Sequence, residues 1–122
     1  MRSILLVDDN EDLRELYGTT LRRAGYVVQE AENGERAIAM LESMEGEPCL
    51  LLLDLMMPVM NGAEVLKVLF ESGQLTSLPV IVLSAGGTAS DAPEARRFIK
   101  KPVSSQVLLA LVREFCAPDS SD

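Results

Sequence analysis

Short apolar runs alternate with segments of helical periodicity along most of the chain, and this alternation constrains the fold more than any other feature. The strand-like runs are residues 4–7, 26–31, 49–53, 80–83 and 98–99. Repeated strand–helix units favour a parallel sheet covered by helices on both faces, because parallel strands need long crossover connections. The sequence therefore predicts an α/β fold.

The apolarity of each run indicates where its strand lies in the sheet. Runs 4–7, 49–53 and 80–83 are wholly apolar, as central parallel strands are. Runs 26–31 and 98–99 contain or adjoin polar residues, as edge strands do. This pattern agrees with a doubly wound, flavodoxin-like, five-stranded parallel sheet of order 2-1-3-4-5, in which ligands bind where the strand order reverses, between strands one and three.

Capping residues and apolar spacing indicate where helices begin and which face they bury. Asn33, Asn61 and either Ser104 or Ser105 can cap helices, and Glu64 completes a capping box with Asn61. The apolar or small positions expected on the core side are Leu13, Leu16, Tyr17, Thr20, Leu21 and Ala24 in the first helix, Val65, Leu66, Leu69 and Phe70 in the third, and Leu108, Leu111, Val112 and Phe115 in the last.

The connection between the fourth and fifth strands is poorly suited to a helix. Gly86 and Gly87 disfavour helix, and Pro93 pushes the residue before it out of helical conformation. Helix four is therefore expected to be short or irregular, with one turn at most. The extra apolar residues of the last helix then belong either to a deepened core or to a partner-binding face: Val107, Leu109 and Ala110.

Composition excludes several classes of protein. The net charge of −8 disfavours direct binding to nucleic acid or to anionic membranes. No apolar run approaches the roughly 20 residues of a membrane span, so no membrane insertion is expected. The chain contains no histidine, which excludes histidine-based catalysis and histidine-ligated metals. Cys49 and Cys116 lack a metal-binding or redox spacing, and we interpret them as two incidental buried thiols of a cytoplasmic protein.

Acidic residues end two strands that flank the predicted crevice. Asp8 and Asp9 follow strand one, and Asp54 follows strand three. Any of these could simply cap a helix. Together, however, three carboxylates would repel one another, and a hard divalent cation relieves that repulsion. Mg²⁺ is the cation that takes one or two carboxylates and a substrate phosphate.

The fourth and fifth strands end in a hydroxyl and a cation, at the same edge of the sheet as the acids. Taken alone, Ser84 would be an ordinary strand-end hydroxyl and Lys101 a solvated lysine. With Asp54 as a carboxylate nucleophile, they provide the positioning and charge neutralisation that phosphoryl transfer needs.

Four segments of the chain, in their order and spacing, resemble the receiver domain of two-component response regulators. They are residues 7–10, 53–62, 83–85 and 101–102. The resemblance covers residues 3–116. It implies a receiver domain over residues 1–117 and a polar tail over residues 118–122. It also implies that Asp54 is the phosphoacceptor.

The same resemblance implies the metal ligands. Asp9 would bind Mg²⁺ directly and Asp8 through water, with Asp54 also at the metal. The backbone carbonyl of Met56 would be a further ligand, which leaves its side chain free to vary.

Further roles follow from the resemblance for the phosphoryl group and the switch. Ser84 would hydrogen-bond the phosphoryl group and Lys101 would pair with it, while the Lys101–Pro102 bond would be cis. Phe98 falls at the position of the switch aromatic, and the alternative is a plain core residue of an edge strand.

The implied partners are a histidine kinase or histidine phosphotransfer protein and an unknown output protein reached in trans, with a homodimer left open. The chain would not be an enzyme beyond catalysing its own phosphorylation and dephosphorylation. A receiver-like binding module that needs no phosphate is the main alternative. An aspartate-nucleophile phosphatase would need an acid where Met56 stands. A nucleotide-binding flavodoxin-like domain is a weaker alternative, because the sequence contains no glycine-rich nucleotide-binding motif.

Overall fold

The computed structural model describes residues 3–44 and 46–117 as a single parallel sheet flanked by helices. The strands are β1 (Ile4–Val7), β2 (Val28–Ala31), β3 (Leu50–Leu53), β4 (Val80–Ser84) and β5 (Arg97–Lys100). The helices are α1 (Glu11–Arg23), α2 (Gly34–Ser43), α3 (Gly62–Ser72) and α4 (Ser105–Phe115). The strand order is β2-β1-β3-β4-β5, which confirms the predicted doubly wound sheet.

Side chains that alternate along the central strands form two apolar cores, one on each face of the sheet. Leu5 and Val7 of β1 pack with α2 and α3, whereas Ile4 and Leu6 pack with α1 and α4. Every residue of β1, β3 and β4 is buried, whereas none of β5 is fully buried. The predicted division into central and edge strands therefore follows from how much apolar surface each strand can bury.

Each helix begins at a side chain that caps its first turn. Asn10, Asn33, Asn61 and Ser104 each accept a hydrogen bond from a backbone N–H three residues further on. Asn61 and Glu64 form the predicted reciprocal capping box. These caps place the helix starts close to the carboxyl ends of the preceding strands, where the acidic residues also lie.

Two apolar side chains expected in the core lie at the surface instead. Phe70 of α3 is 64% exposed and Leu16 of α1 is 56% exposed. In each case the neighbouring residue, Leu69 or Tyr17, occupies the core position. Residues one position apart on a helix point about 100° apart, so a four-residue apolar cluster cannot lie wholly inward on these solvent-flanked helices.

The connection between β4 and β5 contains no α-helix, as predicted. It has a single 3₁₀ turn at Ala89–Asp91, where the N–H of Thr88 donates to the Asp91 carboxylate at 2.7 Å. Ala92 is buried against the core that β4 and α3 share. On the last helix, Leu109 packs against the opposite core but Val107 is 48% exposed. The extra apolar surface of α4 is therefore divided between core and solvent.

The cysteines depart from the prediction of two separate thiols. Cys49, just before β3, and Cys116, just after α4, form a disulfide with a Cα–Cα distance of 5.8 Å. The Tyr26 hydroxyl donates to the Cys116 carbonyl at 3.0 Å and holds the same end of the chain. The two cysteines are 67 residues apart in sequence, so their proximity is a product of the tertiary fold.

Across the described residues, no helix combines the length and the apolar character that crossing a bilayer requires. The predicted polar tail, residues 118–122, lies outside the described residues.

Candidate functional site

Four strand ends bring their polar residues together at the carboxyl edge of the sheet. Asp8 and Asp54 follow β1 and β3, Ser84 ends β4, and Lys101 follows β5. Asp8, Asp54 and Ser84 are buried, with exposures of 2%, 6% and 0%. Ser84 directly precedes Ala85, which borders a cleft of about 440 Å³. The cleft is lined by Asp8, Asp9, Asn10, Leu13, Asp54, Met56, Ala85 and Lys101.

The three acids predicted to bind a metal meet in this cleft. Oxygen atoms from the carboxylates of Asp8, Asp9 and Asp54 all lie within 4.8 Å of one another. Asp9 is exposed, whereas the other two are buried. Three close carboxylates of hard oxygen character fit a small divalent cation such as Mg²⁺, which would remove their mutual repulsion. Met56 also lines the cleft, and its backbone carbonyl is an oxygen ligand of the kind that Mg²⁺ prefers.

Lys101 forms ion pairs with both buried acids, although not equally. Its Nζ lies 2.5 Å from Oδ2 of Asp8 and 3.5 Å from Oδ2 of Asp54. The other oxygen of Asp8 accepts the N–H of Asn10 at 2.9 Å. Asp54 instead accepts a longer bond, 3.3 Å, from the N–H of Met56. Asp8 is therefore tightly held, and Asp54 is the more weakly paired of the two buried carboxylates.

The surroundings of Asp54 disfavour its negative charge. The pKa of Asp54 is raised from 3.8 to about 6, chiefly by burial and also by the neighbouring charge of Asp8, against the opposing effect of Lys101. A bound divalent cation would add positive charge where the ionised carboxylate most lacks it. A cation bound in the cleft would therefore lower the pKa of Asp54 and favour its ionised form.

Ser84 and Phe98 lie on the same face of the sheet, and neither is among the residues that line the cleft. The Ser84 hydroxyl accepts the N–H of Gly86 at 3.3 Å. Phe98 pairs with Val82, two residues before Ser84, and packs half-buried against the core of α2 and α3. The backbone of Lys101 donates to the Ser84 carbonyl at 2.9 Å, and the Lys101–Pro102 peptide bond is cis.

The loop after β3 is held against the strand by Gly62, whose role the sequence reasoning missed. A Cβ at Gly62 would lie 2.5 Å from the Asp54 carbonyl oxygen and 2.8 Å from the Cα of Leu55. The Gly62 N–H donates to the Leu55 carbonyl at 2.9 Å. Only glycine allows the start of α3 to lie this close to Asp54. The sequence signal for this role was the glycine that ends the segment of residues 53–62.

Arg14 is a second residue in contact with the site that the sequence reasoning missed. Its Nη1 donates to the Asp8 carbonyl at 2.7 Å, and its Nε pairs with Glu30 of β2 at 3.1 Å. The sequence offered no signal for this role, because the position of an arginine on α1 does not reveal which strand residue it will meet.

Comparison with known proteins identifies the family. Residues 4–113 match the family described as response regulator receiver domain, and this chain belongs to that family. It is therefore a receiver domain of two-component signal transduction, as the strand-end residues predicted.

Relatives with this domain include transcriptional regulators and chemotaxis proteins. The transcriptional regulatory protein CpxR of Klebsiella pneumoniae is 38% identical over 93% of this chain and 48% of its own length. The phosphate regulon regulator PhoB of Pseudomonas aeruginosa is 33% identical over 92% of this chain and 50% of its own. The chain thus spans about half the length of these curated relatives.

Solved structures of similar length share the fold. Chemotaxis protein CheY4 of Vibrio cholerae superposes with a TM-score of 0.83 at 27% identity, covering 95% of this chain and 99% of that one. The response regulator TrrA of Thermotoga maritima, solved in complex with Mg²⁺–BeF, has a TM-score of 0.83 at 29% identity, covering 95% of this chain and 100% of that one.

Proposed function

We propose that this receiver domain accepts a phosphoryl group on Asp54 from the phosphohistidine of a histidine kinase or histidine phosphotransfer protein, with Mg²⁺ bound beside it. The observation that carries the proposal is the environment of Asp54. It is a buried, weakly paired carboxylate at a strand end, within reach of two further acids and of Lys101. The complex of the relative TrrA with Mg²⁺–BeF supports the same chemistry.

The residues that would hold the metal are the carboxylates of Asp8, Asp9 and Asp54 together with the Met56 carbonyl. Asp9 would bind directly and Asp8 through water, in keeping with the engagement of both Asp8 oxygens by Lys101 and Asn10. Bound Mg²⁺ would neutralise negative charge on the transferring phosphoryl group.

The chain's own residues orient the transfer. An oxygen of Asp54 attacks phosphorus, the P–N bond to the donor histidine breaks, and its electron pair returns to the imidazole ring. Lys101 already lies 3.5 Å from Asp54 and can pair with the phosphoryl oxygens as they approach. Ser84 is the buried last residue of β4, directly before the cleft residue Ala85, and its hydroxyl can donate a hydrogen bond to a phosphoryl oxygen.

The phosphorylated state would be read at the face formed by β5 and α4. Movement of Ser84 toward the phosphoryl group would open space on the face of the sheet that Phe98 shares, and Phe98 would turn into it. The proposed output is in trans, to a separate output protein or to a second copy of the chain, and the proposed compartment is the cytoplasm. The catalytic activity proposed is limited to the domain's own phosphorylation and dephosphorylation.

The test is intact-mass spectrometry after incubation with acetyl phosphate and Mg²⁺. We expect a gain of one phosphoryl group in the wild type, none with EDTA and none in Asp54→Asn. Asp12→Asn serves as the matched control, because Asp12 is an exposed acid on the first turn of α1. An adduct retained in Asp54→Asn would assign the phosphoacceptor elsewhere.

The second candidate is a binding module that works without phosphate. Absence of any adduct, even with a phosphorylated histidine donor and rapid quenching, would favour it. The buried pair of Asp8 and Lys101 would then be a structural feature of that module.

A further inference from the structure

We propose that Arg14 is a positioning residue for the metal site, which holds the peptide group between Asp8 and Asp9 in the orientation that Mg²⁺ binding needs. The proposal rests on the Mg²⁺-dependent function proposed above. Its basis is the bond of 2.7 Å from the Arg14 guanidinium to the carbonyl oxygen of Asp8. That carbonyl belongs to the peptide group that leads directly to Asp9.

The remaining bonds around Asp8 explain why this contact matters. The Asp8 N–H donates to the Ala31 carbonyl at 3.1 Å, and its carboxylate is held by Asn10 and Lys101. Asp9, in contrast, is exposed, so packing does not fix its side chain. The direction in which Asp9 leaves the backbone therefore depends on the plane of the preceding peptide, and Arg14 fixes that plane.

Arg14 is itself fixed by an ion-pair cluster with β2. One oxygen of Glu30 pairs with Arg14 at 3.1 Å and the other pairs with Arg22 at 3.0 Å. Arg14 is the better shielded arginine, with a side-chain exposure of 17% against 48% for Arg22. Arg22 donates its other nitrogen to the Val28 carbonyl and does not reach Asp8.

Gly18 makes room for this cluster. It lies between the two arginines on the same face of α1, and a Cβ there would stand 3.1 Å from a Glu30 oxygen and 3.2 Å from Nη1 of Arg22. The absence of a side chain lets the carboxylate of Glu30 lie over the helix and bridge both arginines. The edge strand β2 is thereby connected, through Arg14, to the metal-binding end of β1.

The sign of the effect on cation affinity separates positioning from simple charge. A guanidinium near the acids opposes the approach of a cation, so removing it should strengthen Mg²⁺ binding if charge alone mattered. If Arg14 positions the Asp8–Asp9 peptide, its removal should weaken binding instead. Loss of groups that orient metal ligands typically weakens affinity by roughly 10- to 100-fold.

The test measures the Kd for Mg²⁺ in unphosphorylated protein, by following backbone amide NMR shifts of Asp9 and Asn10 during a MgCl₂ titration. We expect Arg14→Ala to raise the Kd by about tenfold or more. Arg14→Lys should also raise it, because one ammonium cannot reproduce the paired contacts with Asp8 and Glu30. Arg23→Ala is the matched control, because Arg23 is an exposed arginine in the last turn of the same helix and takes no part in the Glu30 ion pairs, so its Kd should be unchanged or slightly lower.

Each result has one meaning. An unchanged or lower Kd in both Arg14 variants would overturn the positioning role while leaving the proposed function intact. If Arg14→Ala gives an unfolded spectrum, Arg14→Lys decides alone. A wild type that binds no Mg²⁺ at tens of millimolar would overturn the proposed function, and the positioning role with it.

Discussion

Lys101 forms its shorter ion pair with Asp8, at 2.5 Å, rather than with the proposed phosphoacceptor Asp54, at 3.5 Å. Both side chains of the shorter pair are almost wholly shielded from solvent. In this state Lys101 therefore compensates the charge of Asp8 and is positioned to turn toward Asp54 when more negative charge arrives there.

Replacing Lys101 should affect the site in two ways. In Lys101→Met, the pKa of Asp54 should rise above its value of about 6, because Lys101 is the charge that lowers it. Phosphorylation by acetyl phosphate at neutral pH should slow by about 10²-fold, as when a preorganised charge-stabilising group is removed. Carboxyl ¹³C NMR titration and intact-mass time courses measure the two effects. Lys100→Met, at the exposed neighbouring residue of β5, should change neither; equal slowing in both variants would refute the specific role of Lys101.

Without metal, the stability of the domain should depend on the ionisation of Asp54. Its pKa is higher in the folded protein, at about 6, than its ordinary value of 3.8. The protonated form is thus favoured by folding, so this contribution to stability is present below pH 4 and is lost as the pH rises through 6. At pH 8 the cost amounts to at most about 3 kcal/mol.

Asp54→Asn should therefore be more stable than the wild type at pH 8 in EDTA, and the difference should shrink as the pH falls to 4. Urea unfolding at several pH values measures this difference. Glu71→Gln, at an exposed acid of α3, should show no comparable trend. A stability difference that is constant from pH 4 to pH 8 would contradict the assignment to Asp54.

The parts of the fold and site that could be predicted from sequence depend on local patterns. Strand ends in a parallel sheet meet at one edge, so acids after β1 and β3 had to converge once the strand order was inferred from apolarity. The absence of an α-helix between β4 and β5 followed from Gly86, Gly87 and Pro93, because their backbone preferences act locally. Asn61 and Glu64 predicted their capping box for the same reason.

The parts that could not be predicted depend on contacts between distant segments. Cys49 and Cys116 carry no spacing signal, because only the packing of α4 across the sheet brings them together. The contact of Arg14 with Glu30 depends on how α1 is rotated over β2. Phe70 follows three core residues of α3 in an apolar pattern, and its exposure is decided by where α3 meets the solvent.

Gly62 should tolerate no side chain. In Gly62→Ala, a Cβ within 3 Å of the Asp54 and Leu55 backbone must displace either the start of α3 or the end of β3. We expect a loss of about 1–3 kcal/mol in the free energy of unfolding and slower phosphorylation, because Asp54 itself would move. Gly86→Ala is the control, since a Cβ there meets nothing within 4 Å. Unchanged unfolding and phosphorylation in Gly62→Ala would contradict the close packing.

The disulfide between Cys49 and Cys116 should contribute to stability without being part of the phosphorylation site. It closes a loop over a sequence separation of 67 residues, for which the reduction in unfolded-state entropy corresponds to about 4 kcal/mol. Reduction should therefore lower the urea midpoint and leave the Mg²⁺-dependent mass gain intact, since the bond lies at the opposite end of the sheet from Asp54. Cys49→Ala/Cys116→Ala should unfold alike with and without reductant. Alkylation of both cysteines in the native protein before any reduction would contradict the disulfide.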